Sequence, residues 1–196
     1  MIKNTVSLVA FAATVTFGSS AFAGGHGYTG PTFDLSGKWE EFRIGFLGDE
    51  AAADIIASNQ CLKDYIEAAY NIPAKLYTFK DYAATMESFA GGNLDYTWFG
   101  ASGYAGLYLQ DPEAGEPVMT RMQPTGDTGY YSVMVTLADS GIENIEDMKG
   151  KRLGFADPNS TSGYLIPSIE LGDQLGNLDD YFASAEFQGG HENGVL

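Results

Sequence analysis

A single cysteine, Cys61, denies this chain an internal disulfide, so its fold has to rest on packing. No histidine lies near it in sequence, which favours a packing role for the thiol over a nucleophilic one. Basic residues are scarce: ten Lys and Arg stand against twenty-six Asp and Glu, a formal charge of −16. That balance argues against nucleic acid and anionic membrane as partners. Only two histidines are present, His26 and His191, and no Cys or His pair has metal-ligand spacing, so neither a metal nor a cofactor is expected. His191-Glu192 begins like a zinc-protease signature, but Val195 stands where the second histidine belongs. There is no Gly-x-Ser-x-Gly nucleophile elbow and no Walker sequence.

What is present begins with an export signal. Lys3 follows Met1, residues 6–17 are almost wholly apolar, and Ala21-Phe22-Ala23 supplies a small-x-small ending. This predicts a signal peptide over residues 1–23, cleaved after Ala23, and a periplasmic product. The apolar run is too short to span a bilayer, no later run is long enough, and Cys61 is too far away for lipidation at the new N-terminus. The mature protein is therefore expected to be non-lipidated and not membrane-inserted. Loss of Lys3 takes the formal charge from −16 to −17. The hydrophobic share of 44% is enough for a real core.

After a Gly-rich, flexible stretch at residues 24–37, the hydrophobic period switches repeatedly. Strands are predicted at residues 42–47, 75–79 and 94–98. A helix running from about residue 49 to 70, carrying Ile55, Ile56, Leu62, Ile66 and Ala69, is to be stopped by Asn71 and Pro73. Further helices are predicted from Asp81 to Gly91-Gly92 and over residues 101–110. This strand–helix alternation is the rhythm of a parallel sheet with crossover helices. Residues 118–122 and 130–137 add two strand candidates. A smaller unit follows, with a short helix at 145–148, strands at 152–156 and 183–187, and a helix after Thr161. The division expected is a first α/β lobe at 38–137 and a second at 138–196. The second lobe is small and stops in mid-pattern, as a C-terminally truncated domain would.

Asp157-Pro158-Asn159-Ser160-Thr161-Ser162-Gly163 directly follows the strand ending at Ala156. A polar loop between a strand and a helix start points free backbone N–H groups at an anion, and three hydroxyls add donors. Ordinary N-capping is the alternative, although one hydroxyl suffices for that. Pro167 requires the helix either to start late or to kink. His191, after Gly189-Gly190, can donate to an oxyanion or sit as a plain loop histidine. Phe99, ahead of Gly100 at a strand end, is the aromatic best placed for a crevice.

Taken in order, Ile44-Gly45, Asp81-Tyr82-Ala83, Leu94-Asp95-Tyr96-Thr97-Trp98-Phe99-Gly100, Gly129-Tyr130-Tyr131-Ser132-Val133, the Asp157-to-Gly163 run and Gly190-His191-Glu192 resemble a known family. It is that of the phosphate/phosphite/phosphonate substrate-binding proteins of ABC transporters, with the phosphonate branch nearest. The resemblance implies a type II periplasmic-binding-protein-like fold of two hinged α/β lobes. It implies that Ser160, Thr161 and Ser162 grip phosphonate oxygens, that His191 donates from the same lobe, and that Phe99 faces them. Some relatives carry Tyr at the Phe99 position, so a hydroxyl donor is absent here. The implied function is capture of a phosphonate or related oxyanion by a monomer that delivers it to a membrane permease, without catalysis. A sensor on the same fold and a phosphonate-cleaving enzyme are the alternatives. The first lacks a fused signalling segment and the second an activated nucleophile. The acidic surface does not forbid anion capture. Distant carboxylates are screened over about 8 Å, whereas each charge-assisted hydrogen bond contributes roughly 1.5–3 kcal/mol.

Overall fold

The computed structural model describes residues 27–195. The leader and its cleavage point after Ala23 lie outside the described residues, as do residues 24–26 and Leu196. Two separate parallel sheets organise the chain. The first has β1 (Phe42–Phe46) at its centre, flanked by β2 (Ala74–Thr78) and β3 (Tyr96–Thr97). The register runs from Phe42 opposite Ala74 to Phe46 opposite Thr78, and Ile44 and Gly45 face Tyr96 and Thr97. A central parallel strand is covered on both faces, and Ile44 is accordingly only 1% exposed.

The crossover from β1 to β2 differs from expectation. One continuous helix was predicted, but α1 (Ala52–Ser58) and α2 (Gln60–Tyr70) are separated at Asn59. There Asn59 Nδ2 donates to the Ile55 carbonyl at 2.8 Å, and Ser58 Oγ donates to that of Asp54 at 2.8 Å. Short polar side chains competing for helix carbonyls are the reason for the break. The helix stop is as the sequence indicates: Asn71 takes the left-handed conformation (φ 53°), and Pro73 follows. Asp81 caps α3 (Tyr82–Ala90) by accepting from the Ala84 amide at 2.7 Å, and α4 (Ala101–Gln110) follows β3.

Strand β3 is shorter than the predicted 94–98, and a side-chain clasp fastens it to β1. Arg43 donates from Nε to Asp95 Oδ2 (2.9 Å) and from Nη2 to Oδ1 (2.7 Å). Both backbone amides add to the clasp, Arg43 N donating to Asp95 Oδ2 and Asp95 N to the Arg43 carbonyl.

The strand candidates at 118–122 and 130–137 are not strands. Neither joins a ladder among the described residues, and Val118, Met122, Tyr131, Val133 and Leu137 are largely exposed. Apolar, β-branched composition fits a pleated surface but cannot supply the neighbouring strand that satisfies the backbone.

The second sheet pairs β4 (Arg152–Phe155) with β5 (Ser184–Phe187), Arg152 opposite Ser184 and Phe155 opposite Phe187. A 3₁₀ turn at Glu146–Met148 precedes it. Helices α5 (Ile166–Leu175) and α6 (Leu178–Tyr181) connect the two strands, and α7 (His191–Val195) ends the described chain. Phe155, Tyr164 and Phe187 form a mutual ring cluster with centroids 4.8–5.9 Å apart. Leu171 and Phe182 are buried in the same unit. Pro167 falls in the first turn of α5, and a π turn at Thr161–Leu165 precedes it. Proline has no N–H for the Gly163 carbonyl four residues back. That carbonyl instead accepts from Ala156 N at 2.9 Å, which ties the polar loop to the end of β4.

Candidate functional site

Four loops, each leaving the carboxyl end of a parallel strand, meet in this structure. In open α/β sheets this is where ligands bind. Within the loop after β4, Asp157 is buried, accepts from Asn159 N through Oδ1 (2.8 Å), and offers its carbonyl to Ser160 N (2.9 Å). Ser160, 2% exposed, does the capping: its Oγ accepts from Gly163 N at 3.0 Å. One hydroxyl thus performs the ordinary helix-cap role, and Thr161 and Ser162 are not needed for it.

The loop after β5 brings His191 to that cap, 31 residues on in sequence. Its Nε2 lies 3.1 Å from Ser160 Oγ, the donor being set by the imidazole tautomer. Gly163 makes the approach possible. A Cβ there would stand 2.5 Å from Ala156 Cβ and 2.9 Å from both His191 Cε1 and Ser160 Oγ.

From the first turn of α4, just past the loop after β3, Ser102 N donates to Thr161 Oγ1 at 2.8 Å. Gly100 leaves room for that hydroxyl, since a Cβ there would come within 2.9 Å of it. Ser132 Oγ donates to the Ser162 carbonyl at 2.6 Å, so the extended segment that forms no ladder still touches the site. The loop after β1 contributes Asp49, whose Oδ2 accepts from the Tyr82 hydroxyl at 3.3 Å. Burial pushes the Asp49 carboxyl above its ordinary range, opposed by its own backbone amide, the charge of His191 and Tyr82. The Tyr82 hydroxyl is pushed up strongly, first by burial and then by the Asp49 charge. Tyr82 therefore remains a neutral donor in this network.

Ser160, Thr161, Ser162 and His191 are thus gathered around one loop. Phe99 is placed differently. Its ring packs edge-on against Phe89 (centroids 5.8 Å apart) and lines a cavity of about 360 Å³ with Trp98, Tyr104 and Met119. Gly103 stands beside both its ring and the loop: a Cβ there would lie 3.6 Å from Phe99 Cδ1 and 3.7 Å from the Asn159 carbonyl oxygen. Ser162 and His191 line a larger cavity, about 670 Å³, together with Val133, Val135, Met148, Phe155 and Phe182. Thr136, Asn144, Lys151 and Arg152 line the same cavity, whose volume exceeds what a small oxyanion fills.

Sequence reasoning assigns no site role to Asp49, Tyr82, Ser102 or Ser132, although Tyr82 and Ser132 stand in runs that carry the family resemblance. The sequence pattern puts Asp49 where the helix after β1 opens and Tyr82 in the Asp81-Tyr82-Ala83 run, with no site role for either. Ser102 acts through its backbone amide, which carries no side-chain signal at all. Among the described residues no group of three or more His, Cys, Asp or Glu is placed to hold a metal ion. Nor is any helix among them long and apolar enough to cross a membrane.

Residues 44–196 match the family of ABC-transporter, phosphonate, periplasmic substrate-binding proteins. The phosphate-import protein PhnD of Mycolicibacterium smegmatis is 28% identical over 164 residues, 80% of this chain and 51% of that protein. The phosphonates-binding periplasmic protein of Escherichia coli is 29% identical over 106 residues, 52% of this chain and 31% of that one. The chain spans about half of the first relative, and its match reaches about a third of the second. Two crystal structures share the fold. The binding component of an ABC phosphonate transporter from Pseudomonas aeruginosa aligns with TM-score 0.67 at 22% identity, over 78% of this chain and 51% of that chain. PhnD1 from Prochlorococcus marinus, solved with methylphosphonate, aligns with TM-score 0.62 at 21% identity, over 80% and 58% respectively.

Proposed function

Since this chain belongs to the family of periplasmic phosphonate-binding proteins of ABC transporters, we propose that it captures a phosphonate or a closely related phosphorus oxyanion. It hands the captured ligand to a membrane permease and performs no reaction on it. It acts in the periplasm as a non-lipidated monomer, after removal of the leader behind Ala23. The two sheets belong to two lobes, residues 38–137 and 138–196, that close over the ligand.

The observation that carries this reading is the convergence of His191 on the Ser160 cap while Thr161 reaches across to Ser102. Hydroxyls of Ser160, Thr161 and Ser162, the amides at that helix start and the His191 imidazole form a compact donor set. Such a set satisfies several oxyanion oxygens without a Lys or Arg. Phe99 brings no donor; its ring packs on Phe89 of α3 and lies beside Gly103 near the start of α4.

Calorimetric titration with methylphosphonate, phosphite and phosphate tests the reading, with ³¹P spectra of the recovered ligand. Saturable binding with the ligand returned intact is expected. Thr161→Ala should weaken binding by about 1–3 kcal/mol because an oxyanion loses a donor. Asp139→Ala, on the exposed surface, should stay within about 0.5 kcal/mol. Equal effects of the two substitutions would refute the assignment of the donor loop, and a cleaved C–P bond would refute a pure binder.

A further inference from the structure

The loop after β1 and the segment that opens α7 lie at opposite ends of the described chain, yet they are stitched together at three points. Glu192 Oε2 accepts from the Ala51 amide at 2.6 Å, across 141 residues. Glu192 N donates to the Asp49 carbonyl at 3.1 Å. Between them the buried Gly190 rides on Asp49: a Cβ there would sit 3.1 Å from both Asp49 Cα and its carbonyl oxygen. His191 lies between Gly190 and Glu192, so its position beside Ser160 is fixed from both sides. Ala51 begins α1 without a side-chain cap from its own neighbourhood. Its amide is left for a carboxylate from the other sheet's unit. A carboxylate accepting at this distance makes a short, charge-assisted bond.

We propose that Glu192 is a positioning residue for ligand capture. Its carboxylate latches residues 190–192 to the loop after β1, holds His191 against Ser160, and keeps the crevice between the two sheets shut. The latch rests on the capture reading above. A contact made only in the shut form favours that form by its own free energy and acts on release more than on encounter. A side chain that merely tidied the surface would change neither quantity.

The test uses three variants. Glu192→Ala removes the acceptor. Ala51→Pro removes the donor from the other side, because φ at Ala51 is −59° and suits proline. The third variant combines both. Spin labels go on Cys61, which is free and exposed and not packed as its sequence setting suggests, and on Asp173→Cys on the exposed side of α5. Dipolar distances are measured without ligand, and methylphosphonate association and release by stopped flow. With only His26 and His191 in the sequence, the imidazole ¹H–¹⁵N spectrum reports on His191 directly once His26→Gln removes the other signal.

The parent should give a narrow distance distribution. Glu192→Ala and Ala51→Pro should each lengthen or broaden it and move the His191 resonances toward those of a free imidazole. Each should speed release by roughly five- to fiftyfold with association within about twofold. The double variant should add little to either single one, as expected for partners in one contact. Unchanged distances and histidine resonances in both single variants would overturn the latch, as would additive effects in the double. Absence of methylphosphonate binding by the parent would overturn the capture reading instead, and the label distances would still decide the latch.

Discussion

Gly163→Ala is the substitution whose consequences follow most directly from the geometry. The new methyl carbon would lie 2.5 Å from Ala156 Cβ. Carbon atoms pack best at about 3.5–4.0 Å, so one side must yield by roughly 1 Å. Neither side is free to do so. Ala156 is buried at the end of β4, and its amide is bonded to the carbonyl of Gly163 itself. Overpacking of this kind costs about 1–3 kcal/mol of stability. The same methyl would press on His191 Cε1 and Ser160 Oγ, both 2.9 Å away, and drive the imidazole off its partner. An oxyanion deprived of that donor loses roughly 1.5–3 kcal/mol, or about 10- to 150-fold in Kd. Adding Ala156→Gly removes the first clash and leaves the other two. The double variant should therefore recover much of the stability and little of the affinity. Urea unfolding followed by tryptophan fluorescence, and calorimetric titration with methylphosphonate, measure the two quantities separately. A Gly163→Ala protein equal to the parent in both would refute the packing argument. A double variant that regains affinity together with stability would refute the role given to His191.

The Arg43–Asp95 clasp sets a pH dependence. The Arg43 hydrogen bonds hold the Asp95 carboxyl below its usual range, against a smaller opposing effect of burial. An acid lowered on folding contributes stability that is present above its unfolded pKa, near 3.9, and is lost as pH falls through the folded value. Asp95→Asn should thus cost about 1–3 kcal/mol at neutral pH, a difference that shrinks below about pH 4 in urea melts of both proteins. A gap independent of pH would show that the carboxylate charge is not what fastens β3. At the other end of the chain, N-terminal sequencing of the exported protein should begin at Gly24, and a secreted product that retains Met1 would contradict the leader assignment.

Much of the local structure was readable from the residues. The alternation of strand and helix from residue 42 to 110 follows from hydrophobic period, and the stops at Asn71 and Gly91-Gly92 from turn chemistry. The polar loop after β4 is likewise a local feature. These succeed because the forces responsible act within about one helical turn of each residue. Residues 118–122 and 130–137 mark the limit of such reasoning. Their composition suits a strand, but a strand exists only where another backbone offers its ladder, and composition does not record the partner.

The site itself was decided by tertiary structure. Ser160 meets His191 across 31 residues, Ser102 meets Thr161 across 59, and Ala51 meets Glu192 across 141. Phe99 lays its ring edge-on against Phe89 of α3, a contact its sequence neighbours do not record. The sequence determined which loops would carry donors and where each would leave its strand. Only the parallel arrangement of β1, β3, β4 and β5 brought the ends of those strands to one place, because contacts at such separations follow from how the sheets pack and not from any local pattern.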